Sequence, residues 1–262
     1  MALRGPKRRD TDPASGGVRY ETTDLAEWSS RTSKMEAAVV DDVLFSDLFR
    51  AHLPHGEALR CIEIGALPGR FLAYLHNTFG YRITGIDFAD NDEVFHSTMS
   101  ANGIAEYEFA KQNFFEFVAA EPFDVVVSFG FIEHFDDYPD VIRRHCELVA
   151  TGGYLVMTVP NFRHVPYVYH RLFDKANLDI HNTATMKPSR VIPIVEAVGF
   201  QTVIAEYTGG LEFWREGERL SGVARILEKA SRVAAGAIGG LLPESGLTSA
   251  YLVMIFRRIT SA

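Results

Sequence analysis

The feature that most constrains the fold is an apolar run that leads into a glycine-containing turn and then into a segment with helical periodicity. In the stretch LRCIEIGALPGRFLAYL, residues 59–75, Gly65 and Gly69 follow the apolar run and Glu63 precedes the first glycine. A strand, a tight turn and a helix in this order place the turn at the carboxyl end of the strand, where α/β sheets bind ligands. The stretch therefore predicts an α/β fold with a ligand site beside Gly65.

Apolar runs typical of strands alternate with segments of helical spacing along most of the chain. The predicted strands cover residues 59–64, 81–86, 107–110, 123–128, 154–159, 200–205 and 250–258, and the predicted helices cover residues 71–79, 91–102, 138–149 and 189–198. This alternation is typical of a parallel sheet that is covered on both faces. We therefore predict a doubly wound α/β domain.

Other segments fall outside this alternation. The first 22 residues are rich in Arg, Lys, Pro, Gly and Ser, and we expect them to be a disordered tail. We expect residues 23–262 to form a single domain that begins with one or two helices. Two insertions, at about 160–188 and 208–249, interrupt the later part of the sheet, and the first follows the end of a strand, where ligands bind.

Charge and composition exclude several classes of function. The net charge of −8 argues against a protein that binds nucleic acid, because such a protein is usually basic over its contact face. No apolar run approaches the roughly 18 residues of a membrane span, and the first residues hold no apolar segment for export. Two cysteines in apolar segments fit a reducing compartment. We therefore expect a soluble, cytoplasmic protein.

The glycine spacing excludes two common nucleotide-binding motifs. A dinucleotide fingerprint, G-x-G-x-x-G, started at Gly65 would require glycine at the positions of Leu67 and Arg70. A phosphate loop would likewise need its second glycine at Arg70. The pattern that remains, E-x-G-x-x-x-G over residues 63–69, resembles the first motif of class I S-adenosylmethionine-dependent methyltransferases, E/D-x-G-x-G-x-G, with Leu67 at the central glycine.

Three later stretches resemble further motifs of this family in the correct order. They are FDVVVSFGFIEHF at 123–135, LVATGGYLVMTVPNF at 148–162 and LPESGLTSAYLVMIFRR at 242–258. The resemblance implies a mostly parallel seven-stranded sheet with an antiparallel last strand. It also implies S-adenosylmethionine as the methyl donor and a small-molecule acceptor.

The resemblance assigns donor-binding roles to the ends of the first two strands. Gly65, Ala66 and Gly69 would let the backbone approach the donor, and Glu63 would meet its methionine ammonium group. Asp87 lies 22 residues after Gly65, at the distance where an acidic residue accepts hydrogen bonds from ribose hydroxyls. The alternative is that Asp87 is a surface residue that follows a strand.

Further donor contacts are expected from the residues that follow the second, third and fourth strands. Phe88 would pack on the adenine, and an amide from Gln112 or Asn113 would reach the adenine amino group, with Phe114 as a wall. The end of the fourth strand would lie near the reacting methyl group, where the candidates are Ser128, Phe129 and Gly130.

Two histidines are the catalytic candidates. Methylation of a hydroxyl requires loss of a proton, and histidine commonly accepts protons near neutral pH. His134 follows the fourth strand and is the first choice, although it could instead cap a helix or pack on the sheet. His181, in the stretch DIHNT, is the reserve candidate, although a solvent-exposed loop position is the more ordinary interpretation. Ubiquinone-pathway methyltransferases hold a metal with a related E-x-x-E-H pattern, but Gly130 replaces its first Glu, so no metal is predicted.

We therefore predict transfer of a methyl group from S-adenosylmethionine to a small molecule, at a hydroxyl of a natural product, sugar or lipid-linked compound. One alternative is an N- or C-methyltransferase, and another is a methyltransferase-like protein that binds the cofactor without turnover. A homodimer is left open.

Overall fold

The computed structural model describes residues 32–217 and 219–259 and contains a seven-stranded sheet. In chain order the strands are β1 (Arg60–Ile64), β2 (Arg82–Asp87), β3 (Glu108–Lys111), β4 (Phe123–Phe129), β5 (Val149–Pro160), β6 (Phe200–Thr208) and β7 (Tyr251–Arg258). The described helices are α1 (Ser46–His52), α2 (Arg70–Phe79), α3 (Glu93–Ala101), α4 (Tyr138–Leu148), α5 (His164–Phe173), α6 (Lys175–Asp179), α7 (Pro188–Glu196) and α8 (Gly222–Gly239). Short 3₁₀ helices cover Phe114–Glu116 and Ile132–His134.

The strand order is β3-β2-β1-β4-β5-β7-β6. Strand β7 runs antiparallel to β5 and β6, whereas the pairs among β1 to β5 are parallel. This confirms the predicted mostly parallel sheet with an antiparallel last strand. The order reverses between β1 and β4, and open α/β sheets bind ligands outside the carboxyl ends of the strands at such a point.

The core lies in two layers because the central strands are buried on both faces. Consecutive strand residues point to opposite sides of a sheet. In β4, Val126 packs into one buried apolar cluster, while Val125 and Val127 pack into the other. This explains why β4 has a continuous apolar sequence rather than an alternating one.

The structure differs from the prediction at several elements. Residues 36–45, which have helical spacing of apolar residues, are not helical, because the Asn102 side chain engages their backbone: its Oδ1 accepts from Val40 N at 2.8 Å and its Nδ2 donates to Ala38 O at 2.8 Å. The 160–188 insertion is largely helical, and β5 and β6 are longer than predicted. The predicted tail, and the predicted helical region before residue 32, lie outside the described residues.

Among the helices of the described ranges, none combines the length and apolar character that a membrane crossing requires.

We predict that Gly85→Val destabilises the protein by about 1 to 3 kcal/mol, the usual cost of overpacking. A Cβ at Gly85 in β2 would lie 2.8 Å from two ring carbons of Phe95 and 3.1 Å from Cβ of Ala66, so α3 would be pushed off the sheet. Urea unfolding measures the change. Gly236→Ala in α8 is the control, since a Cβ there meets nothing within 4 Å, and it should leave stability unchanged or slightly raised. Equal unfolding midpoints for Gly85→Val and the unmutated protein would contradict this packing.

Candidate active site at the carboxyl ends of the strands

A cavity of about 1100 Å³ opens at the carboxyl ends of the central strands. Most of the residues predicted from the sequence line it, namely Glu63, Gly65, Gly69, Asp87, Phe88, Gln112, Asn113, Phe114, Phe129, Gly130, His134 and His181. Ala66 and Ser128 do not line it. Ala66 is fully buried against Gly85, and Ser128 is held inside the sheet between Ile64 and Met157.

The glycine turn is fixed to the neighbouring strand. The backbone N–H groups of Gly65 and Ala66 both donate to the carbonyl oxygen of Ile86, at 2.9 and 3.1 Å. Gly65 has φ +74°, and a Cβ there would lie 2.9 Å from the Phe131 ring. Gly69 has φ +94°, and a Cβ there would lie 2.8 Å from Met99 on α3. Both positions therefore need glycine for packing as well as for backbone conformation.

The Asp87 carboxylate stands at the end of β2 and is oriented by the backbone. Its Oδ2 accepts from Leu67 N at 3.2 Å and its Oδ1 accepts from Ala89 N at 3.0 Å. Burial raises the pKa of Asp87, and these backbone hydrogen bonds oppose that shift. The turn and the carboxylate are thus held in one arrangement, in which the acidic group faces the cavity.

Glu63 lies beside this turn and is 3% exposed. Its Oε2 accepts no hydrogen bond from the described residues. Burial raises the pKa of Glu63 well above the ordinary value, and the charge of Asp87 adds to the shift. Because a buried carboxylate is costly unless it is paired, this position favours a ligand that brings a cationic group.

Aromatic side chains form much of the cavity wall. Phe129 at the end of β4 stacks on Phe71 of α2, with ring centroids 3.7 Å apart and an interplanar angle of 14°. Phe114 meets Phe131 edge-on at 5.7 Å. The side-chain oxygen of Asn113 accepts from Phe115 N at 3.0 Å and starts the short 3₁₀ helix, so part of the Asn113 amide is used locally.

A second polar group in the cavity joins two distant segments. His134, in the 3₁₀ helix after β4, and His181, after α6, have ring centroids 4.6 Å apart. Asn182 fixes this approach: its backbone N–H donates to the Glu133 carbonyl at 2.6 Å, and its Nδ2 donates to the Phe135 carbonyl at 3.1 Å. The two histidine candidates are therefore neighbours, although 47 residues separate them in the sequence.

The hydrogen bonds of His181 define its chemistry. Its Nδ1 lies 2.6 Å from the carbonyl oxygen of Asn177, which can only accept, so Nδ1 carries the proton and Nε2 carries the lone pair in the neutral ring. A lone pair of this kind can accept a proton or bind a metal ion.

Glu133 completes the group and is 1% exposed. Neither of its carboxylate oxygens accepts a hydrogen bond from another described residue. Burial, together with the charge of Glu216, raises the pKa of Glu133 to about 8. Donor atoms of Glu133, His134 and His181 all lie within 4.8 Å of one another, a set that can hold one divalent cation.

The 208–249 insertion supplies cavity residues that the motifs did not indicate. Trp214, Glu216 and Gly217 line the cavity, and Trp214 stacks on Tyr251 at 5.1 Å and 12°. The Asp174 carboxylate accepts from Glu216 N and Gly217 N, both at 3.0 Å, and so anchors this segment to the end of α5. The aromatic residue in LEFW was the one available signal, and it did not specify a position.

Comparisons with known proteins agree with this fold and site. A family model described as a methyltransferase domain matches residues 31–203. The N-methyltransferase NodS from Bradyrhizobium japonicum WM9, solved with S-adenosyl-L-homocysteine, is 18% identical, with a TM-score of 0.56 over 90% of this chain and 99% of that one. The [4+2]-cyclase SpnF is 13% identical, with a TM-score of 0.58 over 90% of this chain and 93% of that one.

Phosphoethanolamine N-methyltransferase 2 from Haemonchus contortus, solved with S-adenosyl-L-methionine, is 13% identical and has a TM-score of 0.56 over 81% of this chain and 51% of that one. No curated protein matches the chain significantly. At these identities the solved structures show a common fold.

The reversed strand order, the glycine turn and the acidic residues at the ends of β1 and β2 define a class I methyltransferase fold. The chain belongs to the methyltransferase domain family and is an S-adenosylmethionine-dependent methyltransferase.

We predict that Asp87→Ala weakens S-adenosylhomocysteine binding by about 1.5 to 3 kcal/mol, because it removes a charged acceptor from the ribose hydroxyls. Calorimetry measures the affinity, and circular dichroism checks the fold. Asp90→Ala is the matched control, since Asp90 is an exposed acidic residue three positions away that pairs with Lys111 at 3.7 Å. Unchanged affinity in folded Asp87→Ala would place Asp87 outside the donor site.

We also predict that Glu133→Gln raises thermal stability, and that the gain grows with pH. A buried carboxyl with a raised pKa stays protonated in the folded state, so its destabilising effect is absent below the ordinary glutamate pKa and develops as the pH rises towards about 8. Glutamine is neutral at every pH. Melting temperatures should therefore agree near pH 4.5 and separate by pH 8. A constant difference between the two proteins would contradict ionisation as the cause.

Proposed function

We propose that this methyltransferase transfers the methyl group of S-adenosylmethionine to a hydroxyl of a small-molecule acceptor, a natural product, sugar or lipid-linked compound. The observation that carries the proposal is the His134–His181 pair, which faces the same cavity as the acidic groups at the ends of β1 and β2. A hydroxyl needs a proton acceptor, and the cavity supplies two adjacent candidates.

In the proposed donor site, Glu63 pairs with the methionine ammonium group and Asp87 accepts from the ribose hydroxyls. The buried Oε2 of Glu63, which has no described hydrogen-bond partner, supports the first role. Phe88 and Phe114 flank the adenine and Gln112 contacts its amino group, since the Asn113 oxygen is already engaged by Phe115. Gly130 and Phe129 lie next to the sulfonium.

Methyl transfer from a sulfonium is an in-line displacement, in which the acceptor oxygen forms a bond to the methyl carbon as the carbon–sulfur bond breaks. Holding the two reactants in line supplies much of the acceleration. In the proposed mechanism His134 takes the hydroxyl proton as the bond forms. His181, whose Nδ1–H is held by the Asn177 carbonyl, supports His134 at 4.6 Å between ring centroids.

A second candidate function is methylation of an amine. Glu133 and Glu216 both line the acceptor side of the cavity, and two carboxyl groups attract an ammonium group. An amine acceptor must lose a proton before it can attack, so the histidines would be useful for this reaction as well. A C-methyltransferase and a cofactor-binding protein without turnover remain as the further alternatives.

We predict that His134→Ala lowers turnover by about 10²- to 10⁴-fold and leaves S-adenosylhomocysteine affinity unchanged, because it removes the proton acceptor and no donor contact. Formation of S-adenosylhomocysteine with a panel of hydroxyl and amine acceptors measures turnover. For the unmutated enzyme, the rate should rise with pH through the histidine range, about 6.5, since only the neutral ring accepts a proton. The variant should lose this rise.

Two controls give this test its meaning. His164→Ala removes an exposed histidine that does not line the cavity and should leave turnover unchanged. Turnover should also survive a chelator, because the proton acceptor in this mechanism is an imidazole. Loss of activity with chelator and its recovery with a divalent cation would instead assign Glu133, His134 and His181 to a metal site.

A further inference from the structure

Helix α8 presents its apolar side to the outside of the protein. Among its residues, only Glu228, Ala235 and Gly239 are buried. The residues that we call the outer face are large, apolar and exposed: Val223 (71%), Ile226 (69%), Leu227 (56%), Val233 (65%) and Ile238 (47%). A surface helix of a globular protein normally turns its apolar stripe towards the core. In α8 this arrangement is reversed.

Specific contacts hold α8 in this orientation. The Tyr169 hydroxyl on α5 donates to Oε1 of Glu228 at 2.7 Å, and Arg232 lies 3.8 Å from the same oxygen. At Gly239 a Cβ would lie 3.1 Å from the Leu211 carbonyl oxygen, so the helix packs closely on the chain there. Rolling α8 to bury its outer face would break the Tyr169–Glu228 hydrogen bond.

Neighbouring elements add to the exposed apolar surface. On α5, Val165, Val168 and Leu172 are 41%, 55% and 68% exposed, and Leu241 and Leu247 after α8 are 83% and 57% exposed. Scattered apolar residues are normal on a protein surface, but groups of this kind mark contact with a membrane or another protein. The outer face of α8 therefore has an occupant in the working protein.

The charges of α8 identify that occupant. Arg225, Lys229 and Arg232 are exposed and basic, and the one acidic residue of the helix, Glu228, is buried and hydrogen-bonded. In a symmetric contact between two α8 helices these basic side chains would meet one another with no exposed acid on either helix. An apolar face combined with Lys and Arg on the polar side is the pattern of helices that lie on anionic lipid surfaces.

We propose that α8 binds the surface of anionic phospholipid membranes, with its outer face among the acyl chains and its basic residues at the headgroups. The basic helix contrasts with the net charge of −8 of the whole chain, so the attraction is local to this side of the molecule. Trp214 and Glu216, which line the cavity, lie shortly before α8 in the chain. Docking of α8 thus favours a lipid-linked acceptor, and this consequence alone rests on the proposed function.

Co-sedimentation with vesicles tests the proposal. We expect the full chain to bind vesicles of phosphatidylglycerol and phosphatidylcholine, and to bind phosphatidylcholine vesicles much more weakly. The double variant Ile226→Ser/Val233→Ser should lose about tenfold or more in vesicle affinity, because two apolar side chains no longer leave water. The double variant Arg225→Gln/Lys229→Gln should lose binding at physiological salt.

Val118→Ser is the matched control, since Val118 is 84% exposed and lies before β4, and it should bind vesicles as the unmutated protein does. S-adenosylhomocysteine affinity should be unchanged in every variant, which separates this test from the proposed catalysis. Vesicle binding that Ile226→Ser/Val233→Ser retains would place the lipid contact elsewhere and overturn the proposal. A dimer in light scattering that this variant dissociates would assign the outer face to a second copy and overturn it as well.

Discussion

The site depends on how the glycine turn is tied to β2. Two backbone N–H groups of the turn donate to the carbonyl of Ile86, and the next residue along the strand, Asp87, accepts the N–H of Leu67. A strand end, a turn and a carboxylate are thereby held as one unit. The close packing of Gly69 and Gly85 against α3 prevents this unit from moving away from the sheet. The donor end of the cavity is consequently formed before any ligand binds.

Much of the fold was accessible from the sequence because its signals are local. Apolar runs, helical spacing and a glycine turn predict elements whose order suffices to specify a doubly wound sheet. The same holds for the donor end, where Glu63 and Asp87 follow buried strands and so must meet at one edge. Ala66 and Ser128 show the limit of this reasoning: proximity in sequence to a strand end does not decide which side chain faces the cavity and which faces the sheet.

The acceptor end could not be predicted in the same way because it is assembled by long-range contacts. His134 and His181 meet because the Asn182 amide binds two carbonyls of the segment after β4, and no periodicity announces such a bond. The failed helix at residues 36–45 has a similar cause, since a single Asn102 side chain competes for the backbone groups that a helix would need. Local propensity loses where one polar side chain satisfies distant backbone groups.

The cavity places a buried acidic group at each end. Glu63 is at the donor end and Glu133 at the acceptor end, and burial raises the pKa of both. Neither would be retained for stability, because an unpaired buried carboxyl is costly and a neutral residue of the same shape is not. Their cost is offset only when ligands supply the missing partners. The protein therefore carries strain that substrate relieves, and the enzyme is most stable when the cavity is filled, since a ligand that binds the folded state alone shifts the folding equilibrium towards it.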